Sequence, residues 1–419
     1  MSARHELLRV AYPDRQGHAL DHVRALTARS IAIETRRTVQ LGERLAVALV
    51  LPGCFESPPL VGTVASTDPV ELELDDRGRR ELARIDDLVG AHERWWARPG
   101  YARLAALPRL RLASLPTPLH RAERVGVGEL WLKRDDLTGF GFGGNKIRKL
   151  ELIAADALRF GADTIVTGAG VQSNWVRAAM AVAAHVGLQG IAVFHGQSPG
   201  ERRGNFLLDE LVGAELCVTG NPDRAALDAA IAARAERARD AGRMPYVIGR
   251  GGATPLGVAS YVLAMLELAV QADALGAAFD EVVLATGSCG TQAGLVLGAK
   301  WLGLDLRVRG ITVSRGADEC RARIGKLARD AAALLGLELA ITDDDIVVDD
   351  RYIGEGYGIP TPAGAAAIRR MARTEGAFLD PVYTGKAFAG LLDGIERGTI
   401  ARTARLCFLH SGGSPALFA

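Results

Sequence analysis

From about residue 160 onward the chain repeats one order: an apolar strand, a glycine-rich turn, a helix. DTIVTG leads into NWVRAAMAVAAHVG, IAVFHG into GNFLLDELVG, and EVVLATGSCGT into QAGLVLGAKWLG, while VRGITVS adds a further strand. Strands separated by whole helices cannot pair as tight hairpins. Each crossover brings the next strand back parallel, and the helices cover both faces of the sheet. The expectation is a doubly wound α/β fold, in which ligands bind where strand C-termini meet helix N-termini.

The first hundred residues read differently. Short alternating or branched runs (SIAIET, RLAVALVL, PLVGTVAS, VELEL) separated by Gly, Pro and Asp predict a small antiparallel β unit. A charged helix, RGRRELARIDDLVGAHERWW, follows, and ARPG at 97–100 reads as a linker. The division expected is 1–98 for a small β-rich domain and 99–419 for the main unit. With 50 basic and 49 acidic side chains there is no global field to draw nucleic acid or an anionic membrane. Five scattered cysteines show no metal-ligand or disulfide spacing and fit a reducing compartment. No basic-then-apolar leader opens the chain, and apolar runs such as LAVALVLPG read as too short to span a bilayer. A cytoplasmic enzyme is expected, with neither nucleic acid nor membrane as a partner.

Three turns carry the chemistry. In TGSCGTQAG the residues Gly287, Ser288, Cys289, Gly290 and Thr291 follow a strand and open a helix. Small residues let backbone N–H groups approach a ligand, and the helix start adds positive partial charge, as a phosphate cradle requires. A tight structural turn is the alternative, because the spacing is not that of a dinucleotide or Walker motif. In GFGFGGNKIRKLE, Asn145 is predicted to cap a helix whose first turn holds Lys146, with Lys149 one turn on. The chain has only six lysines, so 44 of its 50 basic residues are arginine. A lysine at a helix start is either an incidental surface residue or an amine kept easy to deprotonate by the helix dipole and a neighbouring cation, hence a nucleophile toward a carbonyl. In GAGVQSNWVR, Ser173 and Asn174 stand at another helix start, where capping is the plain reading. Together, a phosphate cradle, an activated lysine and polar helix starts form a set that suits pyridoxal 5'-phosphate.

From about Leu107 to the last residue the motifs PTPLHRAERV, LKRDDLTGFGFGGNKIRKLE, GAGVQSNWVR, GGATPLG, TGSCGTQAG, EGYGIPTP, LDPVYTGKAFAGLLDGI and FLHSGGSPALF occur in order. In this the chain resembles the D-cysteine desulfhydrase and 1-aminocyclopropane-1-carboxylate (ACC) deaminase family of pyridoxal phosphate enzymes, with a tryptophan-synthase-β-like fold. The resemblance implies two doubly wound parallel-sheet subdomains, preceded here by the small β domain. It also implies that Lys146 is the covalent anchor of the cofactor and the general base, that Asn174 contacts the ring hydroxyl, and that Gly287, Ser288, Cys289, Gly290 and Thr291 hold the phosphate. Ser173 would lie beside the substrate, and Tyr357 and Tyr383 would flank ring or substrate, with Tyr383 catalytic. ACC deaminases carry a glutamate in PVYEGK and a leucine in HLGG. This chain has Thr384 and Ser411 at those places, as desulfhydrases have small hydroxylated residues. A hydroxyl leaves the ring nitrogen less protonated, which suits expulsion of a good β leaving group better than opening a cyclopropane. Trp175 departs from the histidine or glutamine usual after QSN, so it either narrows the substrate pocket or turns into the core. Cys289 reads as packing.

The reaction expected is α,β-elimination on a β-substituted amino acid, giving pyruvate, ammonia and, from D-cysteine, sulfide, in a homodimer. ACC deaminase and L-cysteate sulfo-lyase are the rivals of like chemistry. From another class, a regulatory or binding protein on a degenerate enzyme scaffold is the alternative. The stretch ALTARSIAIETRRTVQLGERLAVALVLP resembles a PilZ domain in layout. It has Ala25, Thr27 and Ser30 where that family has its Asp/Asn-x-Ser-x-x-Gly ligand motif, so cyclic di-GMP is not expected to bind.

Overall fold

The computed structural model describes residues 8–12, 21–35, 37–51, 55–57, 59–223 and 225–419. The N-terminal runs form an antiparallel sheet in the spatial order 9–11, 21–26, 30–34, 70–74, 60–67, 44–51, 55–56. Arg9–Ala11 also pairs with Arg44–Leu51, which closes the sheet into a barrel. Closure follows from the alternation read in the sequence. Ile31, Ile33, Val47, Leu49, Leu60 and Leu72 point inward and are at most 1% exposed. Thr27 Oγ1 accepts from the N–H groups of Arg29 and Ser30 and so closes a hairpin turn. Helix Asp76–Trp96 follows, capped by Asp75, whose Oδ1 accepts from Gly78 N at 2.9 Å.

The rest of the chain holds two further sheets. The smaller has four parallel strands in the order 215–218, 189–195, 164–170, 245–247. The larger has six, ordered 347–349, 307–312, 281–286, 405–409, 129–133, 119–121; only the last pairing, Leu119–Arg121 with Glu129–Lys133, is antiparallel. The expected strands and helices therefore stand, with one antiparallel edge strand added.

The barrel is not an appendage. One hydrophobic cluster runs from its interior through Trp96, Tyr101 and Leu104 into helices Pro255–Ala274, Gly290–Leu302 and Ala317–Leu335. Polar contacts reinforce it: Arg98 donates to Leu302 O at 2.6 Å, and Trp301 Nε1 donates to Pro99 O at 2.7 Å. Helix Pro255–Ala274 corrects the reading of the apolar runs. Segment Arg250–Ala274 has a length and hydropathy, 1.6, that would allow it to cross a membrane, yet 78% of its most apolar window is buried inside the fold. It is apolar all round because it packs on several sides. Its neighbour Gly290–Leu302 comes close through Gly294 and Gly298; a Cβ at either would lie 2.4 Å from Tyr261 Cβ or 2.7 Å from Met265 Cβ.

Candidate active site

One cavity opens between the two parallel sheets, and the three turns converge on it. Lys146, Ser173, Asn174, Trp175, Gly287, Ser288, Cys289, Thr291, Tyr357, Tyr383 and Ser411 all line it. Gly290, at the head of its helix, is buried just behind.

Lys146 is the first residue of helix Lys146–Arg159. Asn145 does not cap that helix as expected. Its own backbone is helical, and its Nδ2 reaches across the cavity to Thr291 Oγ1 at 3.1 Å, tying the lysine turn to the glycine cradle. The helix start is held by tertiary contacts. Asn145 N donates to Ser411 O at 3.0 Å, Gly144 N to Asp135 O at 3.1 Å, and Tyr261 Oη to Asn145 O at 3.4 Å. Beneath lies a buried ionic floor. Arg148 grips Asp135 (Nε to Oδ2 at 3.0 Å) and Glu267 (Nη1 to Oε2 at 2.8 Å), and Lys133 also pairs with Glu267. Burial alone would raise the Glu267 carboxyl, but Arg148 and Lys133 outweigh it and hold the group at about 2. Removing any one member would strand a buried charge, so the floor is rigid.

The Lys146 amine is brought down to about 8, first by burial and then by the Arg177 guanidinium. The neighbouring cation is thus Arg177, from another helix, and desolvation leads. Lys149, read from the sequence only as a cation one turn on, is fully buried. Its Nζ donates to Gly251 O at 3.3 Å and stands so near the cradle that a Cβ at Gly290 would lie 3.1 Å from it. Burial and Lys146 hold its amine well below the usual lysine range, and among the described residues no carboxylate pairs with it. An uncompensated buried cation is costly. A phosphate dianion at the cradle would supply the missing charge, so the residues present fit pyridoxal phosphate. The available signal was spacing: three residues from Lys146 puts Lys149 on the same helix face. Four of the six lysines (133, 146, 149, 386) lie at or under the site. Lys386 is fully buried, and its Nζ holds Ile353 O at 2.7 Å and Gly356 O at 3.1 Å, steadying the loop that carries Tyr357.

The cradle is formed by backbone strain as well as small residues. Cys289 sits at φ 72°, in the left-handed region, as the N-cap of Gly290–Leu302. Its thiol is 2% exposed, and a hydrogen bond with Cys320 together with burial holds it well above the usual thiol range, as expected of packing. Arg315 Nη1 donates to Gly287 O at 2.7 Å and Arg323 Nε to Ser288 O at 3.2 Å. Those carbonyls are therefore occupied by two arginines that themselves line the cavity.

On the opposite wall Ser173 caps helix Asn174–His185, accepting from Trp175 N at 3.2 Å and Val176 N at 3.3 Å. Its O–H proton is left to donate. Tyr357 and Tyr383 meet hydroxyl to hydroxyl, rings edge to face at 5.9 Å, and the Tyr383 ring covers Gly287. Two residues expected at the pocket are held largely by other partners. Trp175 is 2% exposed, its Nε1 donates to Thr167 Oγ1 at 2.8 Å and its ring lies on Gly252, so the indole is core with one edge on the cavity. Its single donor is spent, so only its apolar edge can meet a β substituent. Thr384 is fully buried behind the wall; its Oγ1 donates to Asp380 Oδ1 at 2.7 Å and accepts from Asp380 N at 2.8 Å. The turn before the helix Thr384–Glu396 consumes it.

A family model for pyridoxal-phosphate dependent enzymes matches residues 110–412. D-cysteine desulfhydrase of Yersinia pestis (strain Pestoides F) is 44% identical over 327 residues, covering 76% of this chain and 97% of the relative. The enzyme of that name from Salmonella paratyphi C (strain RKS4594) is 42% identical over 328 residues, covering 75% and 97%. Among solved structures, an ACC deaminase homologue matches with TM-score 0.70 and 39% identity over 76% of this chain and 96% of its own. The processed form of threonine deaminase isoform 2 from Solanum lycopersicum, 16% identical with TM-score 0.52 over 78% and 85%, shares the fold. The matched span contains the lysine turn, the cradle and the tyrosine wall, and a match of that length and identity makes this chain a member of the pyridoxal-phosphate dependent enzyme family.

Proposed function

We propose that the chain is an α,β-eliminating lyase of the D-cysteine desulfhydrase type, converting D-cysteine or a similar β-substituted amino acid to pyruvate, ammonia and the β leaving group. The observation that carries this is the composition of the cavity wall: among the described residues lining it, none is aspartate or glutamate. The names borne by the relatives at 44% and 42% identity support the same reading.

When bound, the cofactor supplies an electron sink that makes the substrate's α C–H acidic. Lys146 would anchor it and take the α proton; an amine of about 8 keeps roughly a tenth of its population neutral near pH 7, far more than an ordinary lysine. The N–H groups of the cradle and the Lys149 amine would hold the phosphate. Ser173 donates its O–H to the substrate carboxylate. Tyr383, in contact with Tyr357 and lying over Gly287, would give a proton to the leaving sulfur as the C–S bond breaks, so that sulfide departs neutral or singly charged. Ser411 offers a hydroxyl on the wall where ACC deaminases carry a leucine, and Thr384 stands where they carry a glutamate, so neither place supplies a carboxylate to keep the ring nitrogen protonated, which supports elimination over cyclopropane opening. Residues 1–98 form an accessory unit in this reading. Assembly as a homodimer and a cytoplasmic setting belong to it too and rest on the resemblance.

The test is product analysis on purified, cofactor-loaded protein. Pyruvate and sulfide from D-cysteine, in excess over 2-oxobutanoate from ACC and sulfite from L-cysteate, are expected. Turnover of ACC alone, or of no amino acid in a broad panel of D and L isomers, would sink the assignment.

A further inference from the structure

Asn174 begins a helix at the cavity and can present either end of its amide there, since carbonyl and N–H2 are nearly the same shape. An ionised ring hydroxyl is served by the N–H2 end only. The choice is made one layer back. Asn205, fully buried at the start of helix Gly204–Leu211, has its amide fixed from two sides. Its Nδ2 donates to Gln172 O at 2.9 Å, a backbone carbonyl that can only accept. Its Oδ1 accepts from Arg177 Nε at 3.3 Å, a guanidinium that can only donate. The backbone agrees, because Asn205 N donates to Gln172 Oε1 at 2.9 Å. With Asn205 so held, its remaining Nδ2 hydrogen meets Asn174, which answers with Oδ1 at 2.9 Å. The N–H2 of Asn174 is thereby turned toward the cavity that the residue lines. Arg177 is anchored in turn. It donates to Gly141 O and, at 3.3 Å, to Gly143 O, in the loop that ends at Lys146.

We propose that Asn205, backed by Arg177, is a positioning residue that sets the Asn174 amide as a donor toward the anionic oxygen of the cofactor ring and links that donor to the loop carrying Lys146. The inference rests on the cofactor reading above and adds a residue outside the cavity to it.

The two obvious substitutions separate orientation from packing. Asn205→Asp keeps size and the acceptor for Arg177 but removes both donors, so Asn174 turns its N–H2 backward and its carbonyl toward the ring oxygen. Asn205→Ala leaves Asn174 free to take either pose. Apoproteins are titrated with pyridoxal 5'-phosphate, reading dissociation constant and the pH midpoint of the visible band, with thermal melts reporting the fold. The expected order of damage is Asp above Ala, with affinity lost on the order of tenfold in the Asp variant and the midpoint moved upward. A packing role predicts the reverse order, and that result overturns the proposal. A direct effect of the added charge is separated by repeating both substitutions in an Asn174→Ala background. If orientation is the route, the change at 205 then alters affinity and midpoint little; persistence of the full effect also overturns it. Should the Asp variant not fold, the cycle with Asn205→Ala decides by the same criterion. Wild-type protein that takes up no cofactor would instead sink the cofactor reading.

Discussion

Two helices start at the same cavity and are built in opposite ways. At Asn174–His185 the preceding Ser173 is extended, φ −76° and ψ 118°, and its hydroxyl oxygen takes two orphan N–H groups. That start is complete in itself and is written in five residues. At Lys146–Arg159 no side chain caps the turn, Asn145 is already helical, and a cation stands first. No side chain of the turn caps it; Ser411 O, Tyr261 and the ionic floor under Arg148 hold it. The difference teaches where reactivity is kept. A self-capped start is locally satisfied, whereas one held from outside can leave its N-terminal positive charge and an amine of lowered basicity for a ligand.

The strongest way to break the contrast is to remove the second cation of the uncapped start. Lys149→Met should weaken pyridoxal 5'-phosphate binding by roughly ten- to a hundredfold, the worth of a charge-assisted hydrogen bond. The apoprotein's melting temperature should hold or rise, because a buried amine without a carboxylate partner is gone. Calorimetric titration and a melt of the same sample check both. A fall in stability with unchanged affinity would mean that Lys149 serves the fold.

The capped start should respond more mildly and in the other quantity. Ser173→Ala loses the cap, about 1 kcal/mol of stability, and also the donor proposed for the substrate carboxylate, so KM for D-cysteine should rise while cofactor affinity stays. Ser173→Thr should recover the stability. Denaturant melts with steady-state kinetics test this, and a cofactor affinity that fell with Ser173→Ala would erase the distinction between the two starts.

Much of this was legible beforehand because it is local. Period-two alternation marked the barrel strands, strand–glycine–helix order marked the parallel sheets, and TGSCGTQAG announced a helix start lined with small residues. What escaped is what only the opposite wall decides. Asn145 has the chemistry of a cap, but Thr291 lies within reach across 146 residues of chain and takes its amide. Lys149 shares a helix face with Lys146, yet no spacing shows that this face meets Gly251 and Gly290. For Trp175 the sequence leaves pocket and core both open; the next helical position rotates by about 100°, and Thr167 and Gly252 receive most of the indole. Thr384 sits beside Tyr383 and is claimed by Asp380 four residues away. Helix Pro255–Ala274 has little periodicity to read, since all its faces are covered.

The central claim is that the amine at the uncapped start, and not its neighbour one turn on, carries the cofactor. Borohydride reduction of the loaded protein, followed by digestion and mass mapping, tests it directly. The account predicts a reduced pyridoxal phosphate adduct on Lys146, absent from the Lys146→Ala variant, with Lys149 unmodified; an adduct on Lys149, or none on either lysine, would contradict it.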